Sequence, residues 1–234
     1  MRIANSGIKT IKEIVRRIPI IGTLALKIKR RFLARLFPES KAYWIERYER
    51  GGDSGQGSSG KLAEFKAEII NDFVRRHNVA TVIEYGCGEG SQLKLAQYPN
   101  YLGFDVSPEA ISRCKEMFAG DPTKRFGLMK NYRGERAELT LSLDVIYHLI
   151  EDKVFESYMK TLFNSSDRFV VVYSSDYDEP KKKDFAHVRH RKFTKWVEGD
   201  LPEWKLVKHI PNKYPFAGDA SEGSSSDFFF YEKT

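Results

Sequence analysis

Between residues 82 and 105 the chain carries an acid, three glycines and a second acid in an order that suits a charged ligand. In VIEYGCGEGSQ, Glu84 ends an apolar run, and Gly86, Gly88 and Gly90 follow at every second position. A turn built this way has few side chains, so a ligand can approach its backbone amides and the start of the next element. Asp105 closes YLGFDV, the position from which a carboxylate grips two ribose hydroxyls. Such a turn fits either a dinucleotide or S-adenosylmethionine. The dinucleotide fingerprint G-x-G-x-x-G would place its third glycine at position 91, where this chain has Ser91. Glu84 would sit badly beside a pyrophosphate and well beside an ammonium group and a sulfonium.

Three further groups have side chains able to act on a second molecule. His148 in DVIYHL is the best base candidate, because imidazole accepts a proton near neutral pH. Tyr147 beside it offers a hydroxyl, and the plainer duty of both is packing and hydrogen bonding. In HVRHR, His187, Arg189 and His190, with Arg191, suit a phosphate or carboxylate clamp, arginine giving bidentate geometry. The plainer reading of that segment, and more so of Lys181 to Lys183, is a solvated basic loop. Tyr43, Trp44 and Tyr48 lie in SKAYWIERYER, just before GGDSGQGSSG. That loop is either a flexible linker or a backbone-rich cover over an anionic ligand, with the three aromatics as one wall. No spacing of His, Cys, Asp and Glu resembles a metal site, so no metal is expected.

The elements that must position these residues alternate. KLAEFKAEIINDFVRRHN has Leu62, Phe65, Ile69 and Phe73 at helical spacing and leads into the strand ATVIEY. A helix near 90–97, the strand YLGFDV, a helix from Pro108 to Phe118, the strand ELTLSLDV, a helix over 151–163 and the strand RFVVVYS follow. Alternation of this kind implies a parallel sheet covered by helices on both faces. A helix near FTKWVEGD and two late apolar stretches, EWKLVKHI and DFFFYEK, complete it as an antiparallel hairpin on the sheet edge.

A chain of 234 residues is long enough to bury a real core without staples. With two cysteines, no signal peptide pattern and no apolar run near the ~20 residues of a membrane span, a reducing cytoplasm is the expected setting. The net charge of +7 divides unevenly. Residues 1–36 hold ten Lys/Arg and one acid, 10 − 1 = +9, so the remainder carries 29 basic and 31 acidic residues, or −2. A body of that charge has no footprint for a nucleic-acid backbone, and nucleic acid is the less expected partner. The arm itself reads as basic amphipathic helices, with Ile8, Ile11, Ile14, Val15 and Ile18 on one face and Leu24, Ile28, Phe32 and Leu36 on another. These suit the surface of an anionic membrane, or equally a cap on the domain. Three parts result: the arm at 1–38, the aromatic helix and glycine-rich cover at 39–60, and the main domain at 61–234.

E-x-G-x-G-x-G after a strand, GFDVSPEAI and LTLSLDVIYHLIED together resemble a class I S-adenosylmethionine-dependent methyltransferase. The resemblance covers residues 82–152 by motif and implies a Rossmann-like, doubly wound, seven-stranded, mostly parallel sheet. It puts Glu84, Gly86, Cys87, Gly88 and Gly90 around the methionine end of the cofactor, Asp105 on the ribose and Val106 beside the adenine. It puts Leu143 and Asp144 near the reactive end, and an adenine-edge contact within Met129 to Tyr132, taken as Asn131. More loosely, AYWIERYERGGDSGQGSSGKLAEFKA and HVRHRKFTKWVE are similar to methyltransferases of bacterial surface-polysaccharide assembly. That implies O-methylation of a glycan, a glycan-linked phosphate or a related small acceptor, at the inner face of a membrane. An RNA methyltransferase and a non-catalytic cofactor-binding scaffold at the membrane are the alternatives.

Overall fold

The computed structural model describes residues 39–178 and 187–234, so the basic arm at 1–38 and Lys181 to Lys183 lie outside the described residues. The described residues belong to one compact unit. It opens with helix α1 (Ser40–Glu49), followed by the loop at 50–59 with a short 3-10 turn at Gln56–Ser58, and then α2 (Gly60–Arg76). Strands β1 (Thr81–Tyr85), β2 (Asn100–Asp105), β3 (Lys124–Leu128), β4 (Ala137–Leu143) and β5 (Ser166–Ser174) are interleaved with α3 (Pro108–Met117) and α4 (Asp152–Asn164). Helix α5 (Phe193–Asp200) and strands β6 (Trp204–Ile210) and β7 (Asp227–Lys233) complete the unit.

The seven strands form one sheet in the order β3-β2-β1-β4-β5-β7-β6. The pairs from β3 to β5 are parallel, whereas β7 lies antiparallel between β5 and β6. The expected late hairpin is therefore present, with its second strand on the inside. Sheet order reverses between β1 and β4, and in such sheets the crevice beyond the carboxyl ends of the strands is where ligands bind.

Alternate residues of each central strand face opposite ways, which is why β5 and β7 read as unbroken apolar runs. Phe169, Val171 and Tyr173 of β5 join Phe228 and Phe230 of β7, Leu139 and Leu141 of β4, and Phe65, Ile70 and Val74 of α2 on one face. Val170, Val172, Phe229 and Tyr231 join Phe155, Met159, Leu162 and Phe163 of α4, with Phe193 and Val197 of α5, on the other. Burial of these side chains is the main force holding the helices to the sheet, at about 1.5–3 kcal/mol for each large one.

Two expectations fail here. Residues 90–97 form only a 3-10 turn at Gln92–Leu95, since Gly90 at φ +83° and Pro99 leave no room for a full helix. The sequence reading also contains no strand at Lys124–Leu128. KRFGL has two basic residues and a glycine, and it stands half-buried at the sheet edge, so apolar alternation never marks it. On α2 the buried stripe is Leu62, Lys66, Ile70 and Val74, with Ala63, Phe65 and Ala67 beside it, while Ile69 and Phe73 lie at its margin.

Candidate active site

At the reversal in strand order the chain leaves β1 as a glycine turn and leaves β4 as a tight 3-10 turn, Ile146–His148. Between them lies a cavity of about 420 Å³. Gly86 and Gly88 take φ of +81° and +57°, a region that costs a residue with a side chain. A Cβ on Gly86 would meet Val145 at 2.5 Å, and one on Gly88 would run into the hydroxyls of Ser54 and Tyr48. The turn is pinned from behind, where the amides of Gly86 and Cys87 donate to the Phe104 carbonyl at 2.7 and 3.1 Å and that of Gly88 donates to Asp105 Oδ2 at 3.0 Å.

Two carboxylates at this end are nearly closed off from solvent, Glu84 at 5% exposure and Asp105 at 8%. Burial pushes the Glu84 carboxyl up to about 7, against the opposing pull of the Tyr101 hydroxyl, which donates to it at 2.7 Å, and of the Lys66 charge. Asp105 rises to about 6 for the same reason, held back by the amides of Ser107 and Gly88 that donate to it. Each acid is short of positive charge, and a cationic ligand in the cavity would supply it.

Lys66 is the buried cation of the site, 1% exposed, and its Nζ donates to Asp144 Oδ2 at 2.8 Å. Asp144 sits at φ +59°, rare for a residue with a Cβ. Its Oδ1 accepts from Tyr147 at 3.0 Å and from Ser226 at 3.1 Å. The strain persists because three elements converge on this carboxylate: α2, the turn after β4 and the start of β7.

Above the turn stand Trp44 and His148, their ring centres 4.9 Å apart, with the His187 ring stacked 5.5 Å from His148. The His148 Nδ1 lies 2.9 Å from the His187 carbonyl. A carbonyl only accepts, so Nδ1 carries the proton and Nε2 is left with a lone pair. Burial holds this imidazole down to about 4, only partly offset by that carbonyl, so it is neutral at physiological pH.

The glycine-rich segment before α2 folds onto the site. The Ser54 hydroxyl, 2.8 Å from the Tyr48 hydroxyl, donates to Glu89 directly over Gly88. Arg113 of α3 fastens the same segment by donating to the carbonyls of Gly52 at 2.9 Å and Tyr48 at 3.0 Å. Residues 50–59 are therefore tied to the rest of the domain at several points.

The cavity wall brings together Glu84, Gly86, Cys87, Gly88, Asp105, Val106, Leu143, Asp144, His148, Trp44 and Tyr48 from the sequence reading. Other expected residues are placed elsewhere. Gly90 faces Phe118 and Cys114 of α3, and Asn131 lies off the wall while Met129 of the same turn lines it. Tyr43 stacks on His187 at 5.0 Å, behind the wall. Tyr147 gives its hydroxyl to Asp144 and packs between His148 and His190. The residues of HVRHR expected to clamp an anion have partners within the chain. Arg189 donates to the Ile150 carbonyl at 2.8 Å and pairs with Asp152 at 2.8 Å, and Arg191 donates to the carbonyls of Leu149 and Ile150. His190 bonds Ser175 at 2.6 Å and stacks on Tyr177. These side chains brace the turn that carries His148. Wall residues absent from the sequence reading include Lys66, Tyr85, Phe104 and Tyr158. The one signal for Lys66 is a lysine in the apolar stripe of α2.

No group of His, Cys, Asp and Glu that would hold a metal ion occurs among the described residues, and no helix among them is long and apolar enough to cross a membrane.

Known proteins share this architecture. No family model matches the chain. A small RNA 2'-O-methyltransferase of Arabidopsis thaliana is 25% identical over 199 residues, which are 69% of this chain and 21% of that protein. The chain thus spans about a fifth of the length of the curated relative it matches. Among solved structures, the N-methyltransferase NodS of Bradyrhizobium japonicum WM9, in complex with S-adenosyl-L-homocysteine, aligns at a TM-score of 0.66 and 14% identity over 84% of this chain and 99% of its own. The magnesium protoporphyrin IX methyltransferase of Synechocystis PCC 6803, with bound S-adenosylmethionine, aligns at 0.61 and 14% over 85% and 99%. The methyltransferase domain of a bacterial Hen1 aligns at 0.56 and 19% over 74% and 99%. The fold of this chain is that of class I S-adenosylmethionine-dependent methyltransferases.

Proposed function

We propose that the chain is an S-adenosylmethionine-dependent O-methyltransferase whose acceptor presents a carbohydrate hydroxyl beside Trp44 and His148. The observation that carries this is one cavity with two unlike ends: buried acids and a bare glycine turn at one, and a neutral imidazole with a free lone pair at the other. When bound, S-adenosylmethionine supplies a methyl group activated by its sulfonium. Glu84 suits the ammonium of that ligand and Asp105 its ribose, and the absence of side chains at Gly86 and Gly88 leaves room against the backbone. Phe104, Val106 and Met129 offer the apolar surface an adenine needs.

The acceptor side has to position an oxygen and exclude water, which together supply much of the catalysis of such a displacement. Trp44 and Leu149 form an apolar wall there. His148 Nε2 accepts the hydroxyl's hydrogen and takes the proton as the new bond forms, while the His187 carbonyl holds the ring in the required tautomer. The acceptor is read as a glycan or glycan-linked group of a surface polysaccharide, made on the cytoplasmic side of a membrane to which the basic arm adheres.

The test is incubation of the protein with methyl-labelled S-adenosylmethionine and fractionated cell extract. Label entering carbohydrate, and lost with Asp105→Ala, supports the reading; no transfer to any fraction overturns it. A second reading, a terminal ribose of RNA as acceptor, is favoured by the 25% identity to the small RNA methyltransferase. Label released by ribonuclease would select it. Full cofactor affinity without transfer to any fraction would select a binding scaffold.

A further inference from the structure

We propose that the acceptor is a phosphorylated carbohydrate, its phosphate held between Lys41 and Lys153 while a neighbouring hydroxyl faces Nε2 of His148. This rests on the methyltransferase reading and adds the charge of the molecule that is methylated.

Both lysines line the cavity at its outer end, Lys41 in the first turn of α1 and Lys153 in the first turn of α4. Neither has an ion-pair partner among the described residues. The acids of the same rim are already engaged. Glu151 accepts from the Ser40 amide at 2.9 Å and from the Ser40 hydroxyl at 2.6 Å. Asp152 is shared by Arg189 at 2.8 Å and Arg191 at 3.2 Å. Asp152 is thus taken up by the two arginines, and Lys41 and Lys153 are the cations on the cavity wall left without a paired acid. At the inner end Glu84 remains nearly closed off from solvent with its carboxyl pushed up by burial, which suits the ammonium of the cofactor. The two ends are matched by a cationic cofactor and an anionic acceptor respectively.

The rest of the wall narrows the class. Two separate ammonium groups suit a phosphate, which lysine binds as a point charge, whereas a carboxylate is better served by the arginine fork. Trp44, Leu149 and Val154 line the same cavity and offer apolar surface to a sugar ring. The bare lone pair on Nε2 repels an anionic oxygen and accepts from a hydroxyl, so the phosphate lies to the side and the hydroxyl in front. A phosphate so placed also raises the basicity of His148, offsetting the weakening that burial imposes. A nucleic-acid strand fits less well, because residues 37–234 carry a net charge of −2.

The full chain loaded with S-adenosyl-L-homocysteine is titrated with inorganic phosphate, glucose 1-phosphate and glucose by calorimetry. Phosphate and the sugar phosphate are expected to bind and glucose not. In the Lys41→Gln/Lys153→Gln double variant their affinity is expected to fall roughly tenfold or more, as charge-assisted hydrogen bonds are lost, with the affinity for S-adenosyl-L-homocysteine unchanged. Absence of phosphate binding, or equal binding by the variant, overturns the proposal. In the labelling experiment the product should be retained on an anion exchanger, be resistant to ribonuclease, and decline in the double variant. Organic extraction then separates a lipid-linked phosphate from a free one. Label in neutral compounds, or label released by ribonuclease, sinks the proposal while leaving methyl transfer intact. Failure to bind S-adenosyl-L-homocysteine sinks the methyltransferase reading instead, and titrating phosphate into the cofactor-free chain still tests the two lysines.

Discussion

Glu84 faces the Tyr101 hydroxyl, Lys66 and, at longer range, Asp105, and its carboxyl titrates near 7 because burial outweighs the first two. A ligand bearing an ammonium and a sulfonium prefers it ionised. Affinity for S-adenosylmethionine is therefore expected to rise between pH 6 and 8 as the proton leaves, and in Glu84→Gln to be weaker and to keep only the smaller rise near pH 6 that Asp105 supplies; calorimetry at several pH values checks both. The stability of the cofactor-free chain moves the other way. A folded-state value above the unfolded one means this group favours folding below about 4.5 and loses that contribution as pH rises through about 7. Lys66→Met leaves Asp144 with two hydroxyl partners and no cation, at a cost of roughly 3 kcal/mol in a denaturant titration. His148→Ala should slow transfer without changing cofactor affinity. Full activity in that variant would return His148 to a packing role. At this scale the sequence is legible where chemistry forces a residue type, as at Glu84, Gly86, Gly88 and Asp105. It is silent on Tyr85, Phe104 and Tyr158, ordinary core residues whose contact with the cavity depends on which way a strand or helix turns.

At the scale of elements, the cover at 50–59 and the glycine turn act as one piece, because Ser54 closes over the space where Gly88 has no side chain. Gly88→Ala is expected to displace the cover as well as strain the turn. Proteolytic cleavage within 50–59 should quicken, and affinity for S-adenosyl-L-homocysteine should fall roughly five- to hundredfold as about 1–3 kcal/mol of backbone strain is imposed. Helices α2 and α3 were readable in advance, since a long apolar stripe marks the first, and the sequence Ser107-Pro108 gives the second a side-chain cap and a favoured opening residue. Strand β3 and the turn at 92–95 were not. The first is an edge strand with little to bury, and the second is cut short by backbone geometry that residue propensities do not report. The contacts of the arginines of HVRHR were not legible for a related reason: composition shows that a guanidinium is present but not that the Leu149 and Ile150 carbonyls lie within its reach.

For the molecule as a whole, charge is divided between a basic arm of +9 and a body of −2. If the arm adheres to membranes, the full-length chain with Lys27, Arg30 and Arg31 changed to Glu should sediment less with anionic vesicles and bind S-adenosyl-L-homocysteine as before; unchanged sedimentation would end the membrane reading. The order of the sheet also bears on how the protein is made. Strand β7 lies between β5 and β6, yet follows both in the chain. On the ribosome, β5 must wait with one edge unpaired, and β6 with both, until Asp227–Lys233 emerges to join them. During that interval the apolar run from Phe169 to Tyr173 is an open template for strands of neighbouring nascent chains. The protein's yield in the cell then depends on how promptly β7 is delivered, and on whether a chaperone shields β5 in the meantime.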